Sequence, residues 1–166
     1  MGSGKKMITK KSGIMFFLGV GICKFFADKV SREKEAAIDR NNLFIHTLDR
    51  WMTLRDNGIL IEQYLRQLGC KKIAIYGLGM IGNHLYEELR RTEIEIVGID
   101  RADIYNNYQI PIYKPDDCFE DIDLIIVTPF GYDEVFQKLR ENYTGKIVSF
   151  QQLLSACEEF LFQNQG

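Results

Sequence analysis

The residues best suited to chemistry form one short run, Gly77-Leu78-Gly79-Met80-Ile81-Gly82. A G-x-G-x-x-G run means little by itself. Its context here is the one a phosphate-binding turn requires: an apolar β-type run, Lys72–Tyr76, precedes it, and helical periodicity follows through Leu89. Gly77 permits the tight turn, Gly79 lets a ligand's phosphates approach the backbone, and Gly82 lets helix and strand pack closely. The first amides of a helix lack intrahelical acceptors and sit at its positive dipole end, so such a turn attracts anions. Asp100 closes the next strand-like run, about twenty residues on, where an acid meets ribose hydroxyls in nucleotide cofactors. It reads equally well as a solvated strand-end carboxylate. Arg101 beside it either meets a phosphate or is a surface charge.

The elements that must position these residues follow from patterning. Ile94–Asp100, Ile110–Tyr113, Asp123–Thr128 and Lys146–Phe150 read as further strands, and Asp133–Arg140 and Gln151–Phe162 as helices. Within Asp123–Thr128, Leu124 to Val127 is continuously apolar, which fits a strand covered on both faces. The chain is therefore expected to be α/β, a small Rossmann-like parallel sheet of order 3-2-1-4-5 preceded by an N-terminal helical arm. Its switch point falls between the strands ending at Tyr76 and Thr128, and ligands bind there, at the carboxyl ends. Thr128, Pro129 and Phe130 should line the same crevice as Gly77–Gly82. One feature departs from a full dinucleotide fold: between Asp100 and Ile110 the chain is shorter than the roughly dozen residues of a parallel crossover and has no helical pattern.

Three segments are expected: a basic and apolar stretch over 1–30, a helical hairpin over 31–69 and the nucleotide-binding domain over 70–166. In the first, Lys5, Lys6, Lys10 and Lys11 precede Phe16, Phe17, Phe25 and Phe26. The apolar run is too short to span a bilayer. It reads either as a helix on a membrane surface or as one packed on protein. The hairpin opens with Ser31 as N-cap, and its first helix ends at Asn57-Gly58, with Gly58 as a left-handed C-cap. The second helix covers Ile59–Leu68 and stops at Gly69. Leu48, Trp51 and Met52 lie on the apolar stripe of the first helix, which packs within the chain or against a second copy or a glycan-assembly protein.

Composition narrows the function classes. The chain has 166 residues, 46% hydrophobic and 27% charged, and a formal net charge of −2. That balance gives no general attraction to nucleic acid. The cysteines, Cys23, Cys70, Cys118 and Cys157, lie far apart, with no C-x-x-C pair and only His46 and His84 to assist. No metal site is expected, and the pattern fits reduced, mostly buried thiols in a cytoplasmic protein, in solution or at the inner face of the membrane. Of the eight tyrosines, none has a lysine four positions later, so the Tyr-x-x-x-Lys dyad of short-chain epimerases and dehydrogenases is missing. His84, two residues past Gly82, is an acid/base candidate without a legible partner.

The stretch Leu48-Asp-Arg-Trp51-Met-Thr-Leu, then Gly58, Tyr64-Leu, Lys72–Gly82, Ile99-Asp100, Ile110-Pro-Ile-Tyr113 and Asp123–Thr128 resembles small Rossmann-like, nucleoside-diphosphate-sugar epimerase-like proteins of bacterial capsular and exopolysaccharide biosynthesis. It is also similar to the N-terminal nucleotide-sugar-binding domain of sugar acetyltransferases. The resemblance covers roughly Leu43 to Leu154. It implies that Gly77, Gly79 and Gly82 contact phosphates, and it carries over no catalytic residue. The expected function is a non-catalytic nucleotide or nucleotide-sugar binding module. The alternatives are an NAD(P)-dependent sugar-modifying oxidoreductase or epimerase with a minimal fold, and an interaction protein whose Rossmann-like crevice stays empty.

Overall fold

A computed structural model describes residues 7–102 and 108–164, with side chains described over 28–102 and 108–160. The expected surface role of residues 1–30, with its lysines and phenylalanines, lies outside the described side chains except at 28–30. The chain divides into two units, 1–46 and 47–166.

Helix α1 runs from Met7 to Asp56 without interruption. The expected helix start at Ser31 is therefore corrected. No Gly or Pro stands between Ile22 and Asn57, so nothing breaks the ladder there. Ser31 sits mid-helix, its hydroxyl directed at Glu35 one turn on (3.5 Å). Within the first unit Val30, Ile38, Leu43 and Ile45 are exposed. Among the described residues, no helix is long and apolar enough to cross a membrane.

In the second unit, α1 ends where its glycine dictates. Gly58 takes φ +77°, its amide donates to the Arg55 carbonyl, and the Ile59 amide donates to that of Leu54, both at 2.9 Å. This paired closure needs a left-handed residue, which glycine adopts without a Cβ clash. Gly69 repeats it after α2 (Ile61–Gln67).

The sheet has five parallel strands in the order β3-β2-β1-β4-β5. They are β1 (Lys72–Tyr76), β2 (Glu95–Ile99), β3 (Ile112–Tyr113), β4 (Leu124–Val127) and β5 (Lys146–Ser149). Helices α3 (Met80–Leu89), α4 (Asp133–Asn142) and α5 (Phe150–Asn164) complete the alternation. Ile73, Ala74 and Ile75 are wholly buried, as a central parallel strand covered on both faces requires. Tyr76 pairs with Ile99 on one side and Val127 on the other, which places the β1–β4 switch point directly after Tyr76. Strand β3 is shorter than expected. Pro111 has no amide to donate, though its carbonyl still accepts from Gly98 at 2.8 Å.

One buried carboxylate joins three helices of this unit. Glu88 on α3 accepts from the Trp51 indole at 3.0 Å and from the Ile61 amide at the start of α2 at 2.9 Å. Its side chain is 6% exposed, and Arg55 lies 4.0 Å away. Burial raises its pKa, while the Ile61 amide, Arg55 and Trp51 act in the opposite direction. Trp51 is itself buried and meets Phe150 edge-on at 4.8 Å. It thus packs inside its own unit, whereas Met52 is exposed and Leu48 half-buried. Arg50 clamps α5 through both oxygens of Glu158, at 2.8 and 2.7 Å. At the other end of the sheet, Asp123 accepts from the Lys71 and Lys72 amides at 2.7 and 2.8 Å.

Truncating Glu88 leaves the Trp51 and Ile61 donors without an acceptor, at about 1–3 kcal/mol each. Glu88→Ala should therefore lower unfolding stability by about 2–4 kcal/mol, once relief of the carboxylate's own burial is set against that loss. Glu88→Gln, which keeps one acceptor, should cost less. Urea titration with an unchanged slope checks both. Asp123 supplies the opposite pH behaviour to a group raised by burial. The Lys72 and Lys71 amides hold its pKa below the ordinary carboxylate value. Its stabilising contribution is therefore present above that ordinary value and disappears as pH falls through the depressed one. Asp123→Asn should flatten the acid limb of a melting-temperature-against-pH curve, and an unchanged limb would show the contribution to be negligible.

Candidate functional site

The site begins with the turn that ends β1. Gly77 takes φ +84°, and a Cβ there would lie 2.7 Å from Pro129 Cγ. Its amide donates to the Ile99 carbonyl at 2.8 Å. Thr128 fixes the turn from the β4 side: its hydroxyl lies 2.6 Å from the Gly77 carbonyl and 3.2 Å from that of Tyr76. Helix α3 then starts immediately, and a Cβ on Gly82 would collide with the Gly77 carbonyl oxygen. Gly79 is the helix N-cap, with no side chain capping it. A Cβ at Gly79 would meet nothing within 4 Å, so this position faces open space.

That space is a crevice of about 400 Å³ at the carboxyl ends of β1, β2 and β4. Of the residues expected in the site, Gly77, Gly79, Asp100, Arg101, Pro129 and Phe130 line it. Leu78, Met80, Ile81, Gly82 and Thr128 do not. Leu78 is buried and packs on β2, Ile81 is buried in the core, and Met80 is 62% exposed away from the crevice. Gly82 and Thr128 act beneath the turn, as positioning residues. Tyr76, Gly131, Glu134 and Val135 line the crevice without having been anticipated. The signal for them was the pairing itself, because a β1–β4 neighbour relation brings the start of α4 beside the end of β1.

The charges are arranged unevenly. Arg101 is exposed at the rim, its Nε donating to the Tyr76 hydroxyl at 3.2 Å. This ties the guanidinium to the end of β1, and a guanidinium of this kind presents a planar fork of donors that suits a carboxylate or phosphate. Asp100 is less free than expected: Oδ2 accepts the Leu78 amide at 2.8 Å and Oδ1 the Ala102 amide at 2.9 Å. Its first role is to hold the glycine turn. Glu134, in the first turn of α4, brings a carboxylate to the opposite wall.

The catalytic candidates lie elsewhere. His84 is on the surface, edge-on to Trp51 at 6.5 Å, and does not line the crevice. Tyr143, whose following lysine, Lys146, stands one position short of the dyad spacing, is buried and donates to the Ile122 carbonyl at 2.8 Å. Burial raises its pKa. The described cysteines are free and differ in exposure: Cys157 is buried, Cys70 half-buried and Cys118 exposed. Burial pushes the Cys157 thiol up to about 12, so it stays protonated and inert. Cys118 departs from the expectation of mostly buried thiols because it sits in the irregular segment after β3. Among the described residues, no group of His, Cys, Asp and Glu is placed to hold a metal ion.

No family model, curated protein or solved structure matches the chain.

The glycines separate a packing role from a crevice-lining one. Gly82→Ala drives a methyl group into a backbone carbonyl and should destabilise the fold by more than about 2 kcal/mol, the overpacking range. Gly79→Ala adds its methyl to open space at φ −70° and should leave stability within about 0.5 kcal/mol, while narrowing the crevice. Paired thermal melts of the two variants provide the check.

Proposed function

We propose that the crevice binds a nucleotide-type ligand, a diphosphate carrying a nucleoside and a sugar, without transforming it, and that the protein serves bacterial polysaccharide assembly as a nucleotide-sugar binding module. The observation that carries this reading is the convergence, at one mouth of a switch-point crevice, of an uncapped helix start and an anchored guanidinium. Both favour an anion, and they reach it from different sides. The crevice volume falls within the range of small-molecule sites, about 300–1,000 Å³. Glu134 at the far wall disfavours a second anionic group there and suits sugar hydroxyls. The link to polysaccharide assembly rests on the sequence resemblance.

Magnitudes say where affinity must come from. A helix terminus contributes about 0.3–1 kcal/mol, and a hydrogen bond to a charged partner about 1.5–3 kcal/mol. Micromolar binding requires about 8 kcal/mol. The balance falls to the apolar walls, chiefly Phe130 and the ring of Tyr76. The absence of the Tyr-x-x-x-Lys pattern and the burial of Tyr143 argue for binding without turnover.

A thermal-shift titration tests the reading. UDP-glucose at one hundred times its dissociation constant should stabilise the protein by about 2.7 kcal/mol. Arg101→Ala should weaken binding by about tenfold to a hundredfold, following the energy of one charge-assisted contact, with the unliganded melting point unchanged. NAD+ mixed with UDP-glucose and the protein should develop no NADH absorbance. Absence of any shift at millimolar UDP-glucose, ADP-ribose and NADH would overturn the proposal, and steady reduction of NAD+ at the expense of a sugar hydroxyl would replace a binding module with an oxidoreductase.

A further inference from the structure

The bond that anchors Arg101 leaves one proton unused. Arg101 Nε donates to the Tyr76 hydroxyl at 3.2 Å. A phenol oxygen that accepts a hydrogen bond still has its own O–H to give. Buried tyrosines ordinarily direct that proton to an acceptor, as Tyr143 does to the Ile122 carbonyl at 2.8 Å. Tyr76 is 4% exposed, yet among the described residues no acceptor takes its proton. Its ring packs in the core with Val97, Val127 and Val135, and its hydroxyl end reaches Arg101. Both Tyr76 and Arg101 line the crevice, so the bond between them lies at the crevice wall. Core packing holds the ring, and with it the hydroxyl, in place before any ligand arrives.

We infer that the Tyr76 hydroxyl donates to an anionic oxygen of the ligand's diphosphate, beside the guanidinium that donates to the hydroxyl itself. The ligand then meets a neutral donor and a cationic one that are already hydrogen-bonded to each other. The guanidinium draws electron density from the phenol oxygen, and hydrogen bonds chained in this way strengthen one another where water is scarce. A charged phosphate oxygen is the acceptor that gains most from such a donor. No proton is transferred: the phenol keeps it, and the ligand leaves unchanged. Phenylalanine would fill the same place in the core, so what tyrosine adds at this position lies at the crevice wall. The inference rests on the proposed function, because it assigns a further donor within the same crevice.

Isothermal titration of the whole protein with UDP-glucose, and with ADP-ribose as a second diphosphate, tests it through a double-mutant cycle. Tyr76→Phe removes one oxygen and keeps the ring. It should weaken binding of either ligand about tenfold, with cooperative melting retained. In an Arg101→Ala background it should still weaken binding, by about threefold, because the phenol donates to the ligand directly. A loss that vanishes once Arg101 is gone would make Tyr76 only a prop for the guanidinium, and the inference would fall. An affinity of Tyr76→Phe within about twofold of wild type would sink it too. A second measurement does not need the doubly substituted protein. With tyrosine isotope-labelled at Cζ, the Tyr76 resonance, identified by its absence in Tyr76→Phe, should move on saturation with UDP-glucose. A resonance that stays fixed would rule out a new bond at the hydroxyl. Each of these failures leaves the crevice a nucleotide site held by other contacts. Absence of binding by the wild-type protein to UDP-glucose and ADP-ribose alike would overturn the proposed function and this inference together.

Discussion

The close approach of α3 to the end of β1 governs what the rest of this unit can do. At Gly82 the helix backbone lies against the Gly77 carbonyl with no room for a side chain. That approach forces a turn of minimal length, with Gly77 left-handed and α3 starting within three residues. Thr128 makes the same constraint cooperative, because its hydroxyl ties the Tyr76 and Gly77 carbonyls to the end of β4. A crevice at the switch point is therefore the geometric remainder of how β1, β4 and α3 fit together. Its lining combines three glycines with side chains such as those of Arg101, Phe130 and Glu134.

The sheet was legible because each strand is a short apolar run and β4 is apolar throughout its length, a pattern that only a strand covered on both faces explains. The glycine turn was legible because its neighbours in sequence are also its neighbours in space. Other features depended on tertiary placement. Leu78, Met80 and Ile81 are contiguous with the glycines that line the crevice, yet their side chains leave for β2, solvent and the core. Contiguity in sequence therefore does not decide which side chains line it. Glu134 and Val135 belong to the crevice through the β1–β4 pairing, which no local pattern announces. Glu88 looks like any solvated acid on an amphipathic helix, and only the arrival of Trp51 and the start of α2 buries it. The uninterrupted α1 came from a related limit: Ser31 favours a cap where the chain turns, but a favourable cap residue does not break a ladder that carries no Gly or Pro from Ile22 to its end.

Asp100 shows how one residue type at one position can serve two chemistries. An acid at the end of a second strand can accept ligand hydroxyls or its own protein's amides, and the choice depends on what lies between it and the turn. Here Leu78 sits directly on β2 because residue 98 is glycine. The Leu78 amide is thereby brought within reach of the carboxylate, and Asp100 becomes part of the turn's support. That contact turns the carboxylate inward to the turn's own amide. A glycine in β2, outside the glycine run in sequence, therefore helps to decide how the turn is supported. Asp100 holds the turn and lines the crevice at once, and Arg101 beside it lines the same crevice, because both follow directly on the end of one strand.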